Sequence, residues 1–397
     1  MHSSIVILSK GTDGGTGTLS IRISEWCKAN DVKMGYASVR NTNSLNTNSM
    51  KNNQVTIEFD DDLTYHTQYK RLLLCENTLI LTYTLLDYYY AELLQKQYEQ
   101  IKKIILYQVG FGSIPYETKH GSKLHMFLAK CLCRLANRYY ITNLLKTHSF
   151  LVMDEQNRRM TEESANVSIE EQCVAYLPYK FVKSSFSSES IDLPHKYVIT
   201  SICRFEFPFK AYVIGLIGTY EKLRKAGYDI QLVLIGDGKG KNEVINRIDL
   251  LEESLKEDII LPGVIAYEEL EHAFKNTTLY VGMGTTVLDA TNYGRIAVVA
   301  ALGTYDIEVK GTFLDYPYEV GLDSGIGTEG KLLEIVKKTY NYSADEYSNY
   351  VNKQLSEVKK AFDIEWFMKR ILENEERNFC INEHKFAKLK FALLSKR

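Results

Sequence analysis

Tyr197-Val198-Ile199-Thr200-Ser201-Ile202 opens the stretch, Lys196 to Ala301, that decides the fold. It runs into Cys203-Arg204-Phe205-Glu206-Phe207-Pro208-Phe209-Lys210-Ala211-Tyr212 and then a helical pattern. Leu232-Val233-Leu234-Ile235 ends in Gly236-Asp237-Gly238. Ile259-Ile260-Leu261 ends in Pro262-Gly263-Val264. Leu279-Tyr280-Val281 ends in Gly282-Met283-Gly284-Thr285-Thr286, and Ile296-Ala297-Val298-Val299 closes the set. Short apolar runs alternating with helical segments are the pattern of a parallel sheet with crossover helices. Ligands of such sheets sit beyond the carboxyl ends of the strands. The runs here end in glycine or a charge, so chemistry is expected there.

The chain has 397 residues, enough for two domains of ordinary size. Apolar residues make up 45% and charged residues 25%, as in soluble globular proteins. A formal net charge of −2 sets up no global field that would draw nucleic acid, and no such partner is expected. The 28 tyrosines read first as genome composition and second as a sugar-friendly surface. The seven cysteines are odd in number and contain no Cys-x-x-Cys pair, which favours a reducing compartment without a disulfide framework. Cys131 and Cys133 fall on different faces of a helical pattern and do not suggest a metal site. Ile5-Val6-Ile7-Leu8 is too short for a signal core. No run reaches the roughly 18 apolar residues of a membrane span. The expected location is cytoplasmic, with room for a peripheral contact at the inner face of the membrane.

Ile5 to Leu8 reads as a first buried strand. Lys10 to Thr18 is a glycine-rich loop, followed by a helix from about Leu19 to Lys28. Gly14, Gly15 and Thr16 form a ligand loop or a plain tight turn, because glycine lets the backbone approach a ligand and a helix N-terminus offers N–H groups to an anion. A P-loop is excluded by the missing Gly-Lys-Ser/Thr ending. A full dinucleotide fingerprint is excluded by Ser20, which stands where the third glycine belongs. Strands are expected at Val32–Val39, Val55–Phe59, Leu79–Leu81, Lys103–Val109, Tyr139–Ile141, Phe150–Met153 and Val174–Pro178. Asn41 to Asn53 reads as a polar loop. Asp60-Asp61-Asp62 reads as a helix start, with a metal-binding Asp-x-Asp as the rejected alternative. Gly110 to Pro115 is another loop at a strand end, and His120 and His125 after it read as solvated or packed. Asp154 to Met160 reads as a small helix. Leu322 to Glu329 reads as a glycine-rich loop. Helices are expected at Lys331–Tyr340, Ala344–Phe362 and Ile364 to about Phe379. The tail, Glu383 to Arg397, interleaves lysines with apolar residues. It reads as a helix packed on the protein ahead of a basic amphipathic membrane contact.

The second half resembles the donor-binding domain of family 4-type glycosyltransferases of the GT-B fold. Residues 197 to 301 carry the likeness, and Gly14-Gly15 is similar to the Gly-Gly that follows the family's first strand. Cys203-Arg204-Phe205 with Lys210-Ala211 resembles Gly-Arg-Leu…Lys-Gly, whose Arg and Lys hold a nucleotide-sugar's diphosphate. Val233 to Gly238 is similar to the strand ending in Gly-Asp-Gly. Leu261-Pro262-Gly263-Val264 resembles the turn near the nucleobase. Gly282 to Ala290 is similar to Glu-Gly-Phe-Gly-x-x-x-x-Glu-Ala, with Asp289 for the Glu that binds ribose hydroxyls and Val281 for the Glu that touches the donor sugar.

The likeness implies an α/β chain of two Rossmann-like domains facing across a cleft. Their expected bounds are 1–178 for the acceptor side, 179–196 for a linker and 197–362 for the donor domain, with 363–397 returning to the first. It implies transfer of a sugar, with retention, from a nucleotide-sugar to a glycan or lipid-linked acceptor in cell-surface polysaccharide synthesis. The nucleotide-sugar is a substrate, so neither cofactor nor metal is expected. Arg204 and Lys210 would stabilise the leaving diphosphate. Gly14, Gly15, Thr16, Gly236, Val264, Gly284, Thr285, Thr286 and Asp289 would bind the donor. Physical chemistry supports the same roles. Fixed cations and helix N-terminal amides stabilise developing negative charge, and an acidic side chain in a first helical turn can accept from vicinal hydroxyls. Taken singly, Arg204 reads as a partner of Glu206, Lys210 as a solvated helix residue, and Asp289 as a complement to the helix dipole. Three alternatives stand beside the transferase: a non-catalytic protein keeping the fold, a sugar-nucleotide epimerase, and a structural membrane adaptor using the basic tail.

Overall fold

The computed structural model describes residues 4–9, 15–38, 54–56, 58–59, 65–66, 76–110, 113–114, 123–181, 196–266, 269–323, 325 and 327–373. The chain divides into two compact units, Met1–Lys180 with Phe362–Arg397, and Phe181–Ala361.

The first unit contains β1 (Ser4–Ser9), β2 (Lys33–Ser38), β3 (Gln54–Thr56), β4 (Glu58–Phe59), β5 (Tyr65–His66), β6 (Thr78–Thr82), β7 (Ile101–Gln108) and β8 (Phe150–Val152). Its helices are α1 (Gly15–Ala29), α2 (Leu85–Gln95), α3 (Lys123–Lys146) and α4 (Glu155–Ala165). Six strands form a parallel sheet in the order β3-β2-β1-β6-β7-β8. Every residue of β1 and β6 is buried, as expected of a parallel sheet covered on both faces. Side chains start the helices cleanly. The Thr84 hydroxyl accepts the Asp87 N–H at 3.1 Å, and the Asp154 carboxylate accepts the Asn157 N–H at 2.7 Å. Lys103 of β7 is wholly buried and donates to the Thr147 carbonyl at 2.7 Å. Burial pulls its ammonium down to about 8.

Several expectations are corrected here. Helix α1 starts at Gly15, not Leu19, so Gly15 and Thr16 are its first residues. The Val55–Phe59 run splits, with β3 in the parallel sheet and β4 paired antiparallel with β5. The described residues nearest after Asp60-Asp61-Asp62 are the two of β5, and the expected helix start itself lies outside the described residues. Tyr139–Ile141 lies inside α3, where Tyr140, Ile141 and Leu144 recur at helical spacing toward the core. Val174–Pro178 forms only an isolated bridge, Val174 with Val152. The Asp154 helix runs on to Ala165. Gly14, Asn41–Asn53, Asp60–Asp62, His120 and Glu383–Arg397 lie outside the described residues, as does most of the expected linker.

The second unit contains β9 (Tyr197–Ile202), β10 (Ile230–Ile235), β11 (Ile259–Gly263), β12 (Leu279–Gly282), β13 (Ile296–Leu302), β14 (Glu308–Thr312), β15 (Leu322–Asp323) and β16 (Thr328–Glu329). Its helices are α5 (Tyr212–Lys225), α6 (Lys241–Asp249), α7 (Glu253–Lys256), α8 (Leu270–Lys275), α9 (Thr285–Asn292), α10 (Lys331–Thr339) and α11 (Ala344–Phe362). The sheet order is β11-β10-β9-β12-β13-β14-β16, parallel from β11 through β13. The 322–329 loop therefore carries two short strands, β15 on β13 and β16 on β14. The chain adds β10 and β11 on one side of β9, then crosses to β12 on the other. That reversal makes the gap between β9 and β12 the topological switch point.

The last helix, α12 (Ile364–Leu372), packs on the first unit. Its Glu365 accepts from the Trp26 indole N–H at 2.8 Å, and Arg370 donates to the Val174 carbonyl at 2.6 Å. The Phe367 ring meets Tyr107 at 5.0 Å between centroids. The helix stops at Leu372, short of the expected Phe379.

Candidate functional site

Four loops gather at the carboxyl ends of β11, β10, β9 and β12. Backbone hydrogen bonds knit the first three. Cys203 N–H donates to the Ile235 carbonyl at 3.0 Å, Phe205 N–H to the Asp237 carbonyl at 2.9 Å, and Gly240 N–H to the Phe205 carbonyl at 2.8 Å. Gly236 N–H donates to the Gly263 carbonyl at 2.8 Å. This close approach requires glycine. Gly236 and Gly238 have φ of 147° and 149°, and a Cβ on Gly236 would overlap the Cys203 carbonyl oxygen. Asp237 holds the loop from within. Its carboxylate pairs with Lys241 at 2.8 Å and accepts the Gly238 N–H at 2.7 Å, and both hold it below the usual carboxylate range. Val264, just beyond β11, is exposed.

Arg204 emerges from this knot. Its side chain is 64% exposed and its nearest carboxylate, Glu206, is 3.8 Å away, a surface pair of little strength. Lys210 is half-buried before α5. Burial pulls its ammonium below the ordinary range, and the Arg204 charge acts in the same direction. An anion bound between these cations would relieve their repulsion. Cys203 is buried, and burial pushes its thiol up, against a thiolate role.

Strand β12 turns into α9 through Gly282-Met283-Gly284. Gly284 is the N-cap, with φ of 76°, and no side chain caps the helix. The amides of Thr285 and Thr286 therefore head α9 at its positive end. Tyr280 fixes this turn. Its buried hydroxyl hydrogen bonds with the Thr286 hydroxyl and lies 3.3 Å from the Ile202 carbonyl at the end of β9. A Cβ on Gly282 would overlap that hydroxyl. The link ties the helix end to the strand that carries Arg204. The sequence offered only a weak sign of it, a tyrosine two residues before a glycine.

The second unit thus brings Arg204, Lys210, Gly236, Val264, Gly284, Thr285 and Thr286 to one end of one sheet. Asp289 differs from its expected setting. It is the fifth residue of α9 rather than a first-turn residue, and it is only 2% exposed. Val281, where the resemblance leads one to expect a Glu, is fully buried in β12, between β9 and β13. In the first unit, Gly15 and Thr16 head α1. The Ser20 hydroxyl donates to the Thr16 carbonyl at 2.9 Å and lies 3.1 Å from the Tyr83 hydroxyl. Serine at the third-glycine position is thus used to brace the helix. Among the described residues, no three His, Cys, Asp or Glu side chains cluster as a metal site would. None of the described helices is long and apolar enough to cross a membrane.

No protein-family model matches the chain, and no curated protein matches it either. Solved structures do. The apo lipopolysaccharide outer core galactosyltransferase WaaB is 12% identical, aligns over 94% of this chain and 100% of its own, and gives a TM-score of 0.56. HepE of Anabaena, in complex with UDP and glucose, is 14% identical over 94% of this chain and 99% of its own, with a TM-score of 0.57. TarM is 9% identical over 94% and 99%, with a TM-score of 0.60. The chain has the GT-B glycosyltransferase fold.

Proposed function

We propose that this chain is a glycosyltransferase that moves a sugar from a nucleotide-sugar to a glycan or lipid-linked acceptor. One observation carries the reading. Two cations, Arg204 and Lys210, stand at the end of β9 beside the uncapped N-terminus of α9, at the switch point of a GT-B sheet. When the anomeric carbon–oxygen bond to the diphosphate breaks, negative charge grows on the leaving oxygens. Arg204, Lys210 and the amides of Thr285 and Thr286 stabilise that charge. The acceptor hydroxyl oxygen forms the new bond to the anomeric carbon, and its proton passes to the leaving diphosphate. Transfer with retention, independence of metal and a place in cell-surface polysaccharide assembly belong to the same proposal. So do donor-side roles for Gly14, Gly15, Thr16, Gly236 and Val264. The complex of HepE with UDP and glucose supports a uridine diphosphate donor.

A second reading is a GT-B protein that binds nucleotide without turnover. Fully buried Val281 and nearly buried Asp289 favour it, because neither presents a carboxylate to a donor. A thermal-shift panel of UDP, GDP, ADP and CMP, followed by turnover assays with the matching nucleotide-sugars, separates the two. A ligand at about 100 times its Kd adds roughly 2.7 kcal/mol of stability. A shift with one nucleotide class and release of that nucleotide on acceptor addition support transfer. A shift without turnover supports the second reading, and no shift from folded protein contradicts both.

A further inference from the structure

The second unit holds a cavity of about 520 Å³ where β14, α10 and α11 meet. It lies toward the amino ends of the parallel strands. Thr339 in its wall shares a hydrogen bond of 2.6 Å with the hydroxyl of Tyr197, the first residue of β9. Just past β14, the Phe313 N–H donates to the carbonyl of Ala297, the second residue of β13, at 2.7 Å. Arg204 and the head of α9 stand beyond the other ends of β9 and β12, so donor binding leaves this cavity without a role.

Tyrosine rings and balanced charges line it. Tyr316 is 45% exposed, and the Lys310 ammonium lies 5.2 Å from the centre of its ring. The Tyr342 and Tyr350 rings meet at 6.0 Å between centroids, and the Tyr350 hydroxyl hydrogen bonds with that of Thr312. Through Oδ2 alone, Asp315 accepts the Thr312 N–H at 2.9 Å and its hydroxyl at 2.8 Å. Among the described residues, Asp315 Oδ1 makes no hydrogen bond, and the Lys338 ammonium makes neither a hydrogen bond nor an ion pair. One acceptor and one donor are thus left for a ligand. Lys310 pairs with Glu319 at 2.7 Å and Lys331 with Glu334 at 3.0 Å, which leaves Lys338 set against Asp315. A phosphate would gain little from lysines already matched by carboxylates.

An apolar ligand would strip water from Asp315 and Lys338 without replacing its hydrogen bonds. We propose that this cavity binds a neutral saccharide, apart from the donor. The tyrosine rings receive the C–H face of a pyranose ring, and Asp315 and Lys338 exchange hydrogen bonds with its hydroxyls. The volume falls within the roughly 300–1,000 Å³ of small-molecule sites.

The test is saturation-transfer NMR and titration of the full chain with glucose, galactose, N-acetylglucosamine, maltose and lactose at millimolar concentration, with inorganic phosphate as the charged competitor. At least one sugar should bind, and phosphate should not displace it. Tyr316→Ala should raise that sugar's Kd about tenfold, as truncation of a tyrosine anchor does. Lys338→Ala should raise it by about the same factor, through loss of a charged hydrogen-bond donor. Both side chains are exposed, and thermal unfolding verifies that each variant is folded. Arg204→Ala should leave sugar binding as it is, and the two cavity variants should leave UDP binding as it is. Binding of none of the sugars, displacement by phosphate, loss of binding in Arg204→Ala, or binding that both cavity variants retain in full overturns the proposal. Sugar binding is read without donor or turnover, so the proposal and the transferase reading fail separately.

Discussion

The two units wind their strands alike and differ in where their cations stand. The orders β3-β2-β1-β6-β7-β8 and β11-β10-β9-β12-β13-β14 follow one scheme, with the first strand central and a reversal beside it. In the first unit, the helix after β1 begins at Gly15. Among that unit's described residues, Lys103 is buried within β7, and Lys130, Arg134 and Arg138 lie on the exposed face of α3, while Lys10, next after β1, lies outside the described residues. In the second unit, Cys203–Ala211 intervenes between β9 and α5 and carries Arg204 and Lys210. The winding says where a ligand can sit, and the residues at the strand ends say whether it will be an anion.

The comparison breaks most visibly at Gly236. Gly236→Ala should cost on the order of 4 kcal/mol or prevent folding, because a strained φ and a clash with the Cys203 carbonyl combine. Urea unfolding checks it, and a loss below about 1 kcal/mol would mean the knot at this strand end can yield. Next in size, Arg204→Ala should lower turnover about 10²–10³-fold. As an exposed residue it should leave stability within about 0.5 kcal/mol of wild type. Lys103 sharpens the other side of the contrast. Its ammonium is held at about 8 against an ordinary 10.5. Below about pH 8 both folded and unfolded chains carry the charge, and the folded state bears the full cost of burying it. Between about 8 and 10.5 the folded state releases the proton first, so stability rises with pH, by at most about 1.4 kcal/mol per pH unit. Lys103→Met should flatten that rise in urea unfolding while sparing nucleotide binding. Smallest, Tyr280→Phe should cost about 1 kcal/mol of stability and raise the KM for the donor by loosening α9 from β9.

The second unit was largely legible from sequence. Its parallel strands are unbroken apolar runs, each closed by residues that cannot continue the strand. The first unit was less so. Tyr139-Tyr140-Ile141 is β-prone by composition, yet burial of Tyr140, Ile141 and Leu144 along one side of α3 overrides that preference. The helix after β1 starts in its glycines because Ser20 braces that turn against Tyr83, a contact 63 residues apart that no local pattern reveals. At the candidate site, the positions of Arg204, Gly236 and Gly284 were readable because each closely follows a strand, and that of Lys210 because it precedes a helical pattern. The burial of Asp289 was not, since helix register gives a residue's direction and tertiary packing decides what covers it.

The central claim is that the cations at the end of β9 hold a diphosphate. Titration calorimetry of UDP and of uridine tests it, on wild type and on the Arg204→Ala, Lys210→Ala double variant. Hydrogen bonds to charged groups are worth about 1.5–3 kcal/mol each. UDP should therefore bind wild type at least about tenfold more tightly than uridine, and the double variant should lose most of that preference, keeping only what the amides at the head of α9 supply. Equal binding of UDP and uridine by wild type, or a preference for UDP that is undiminished in the double variant, would contradict it.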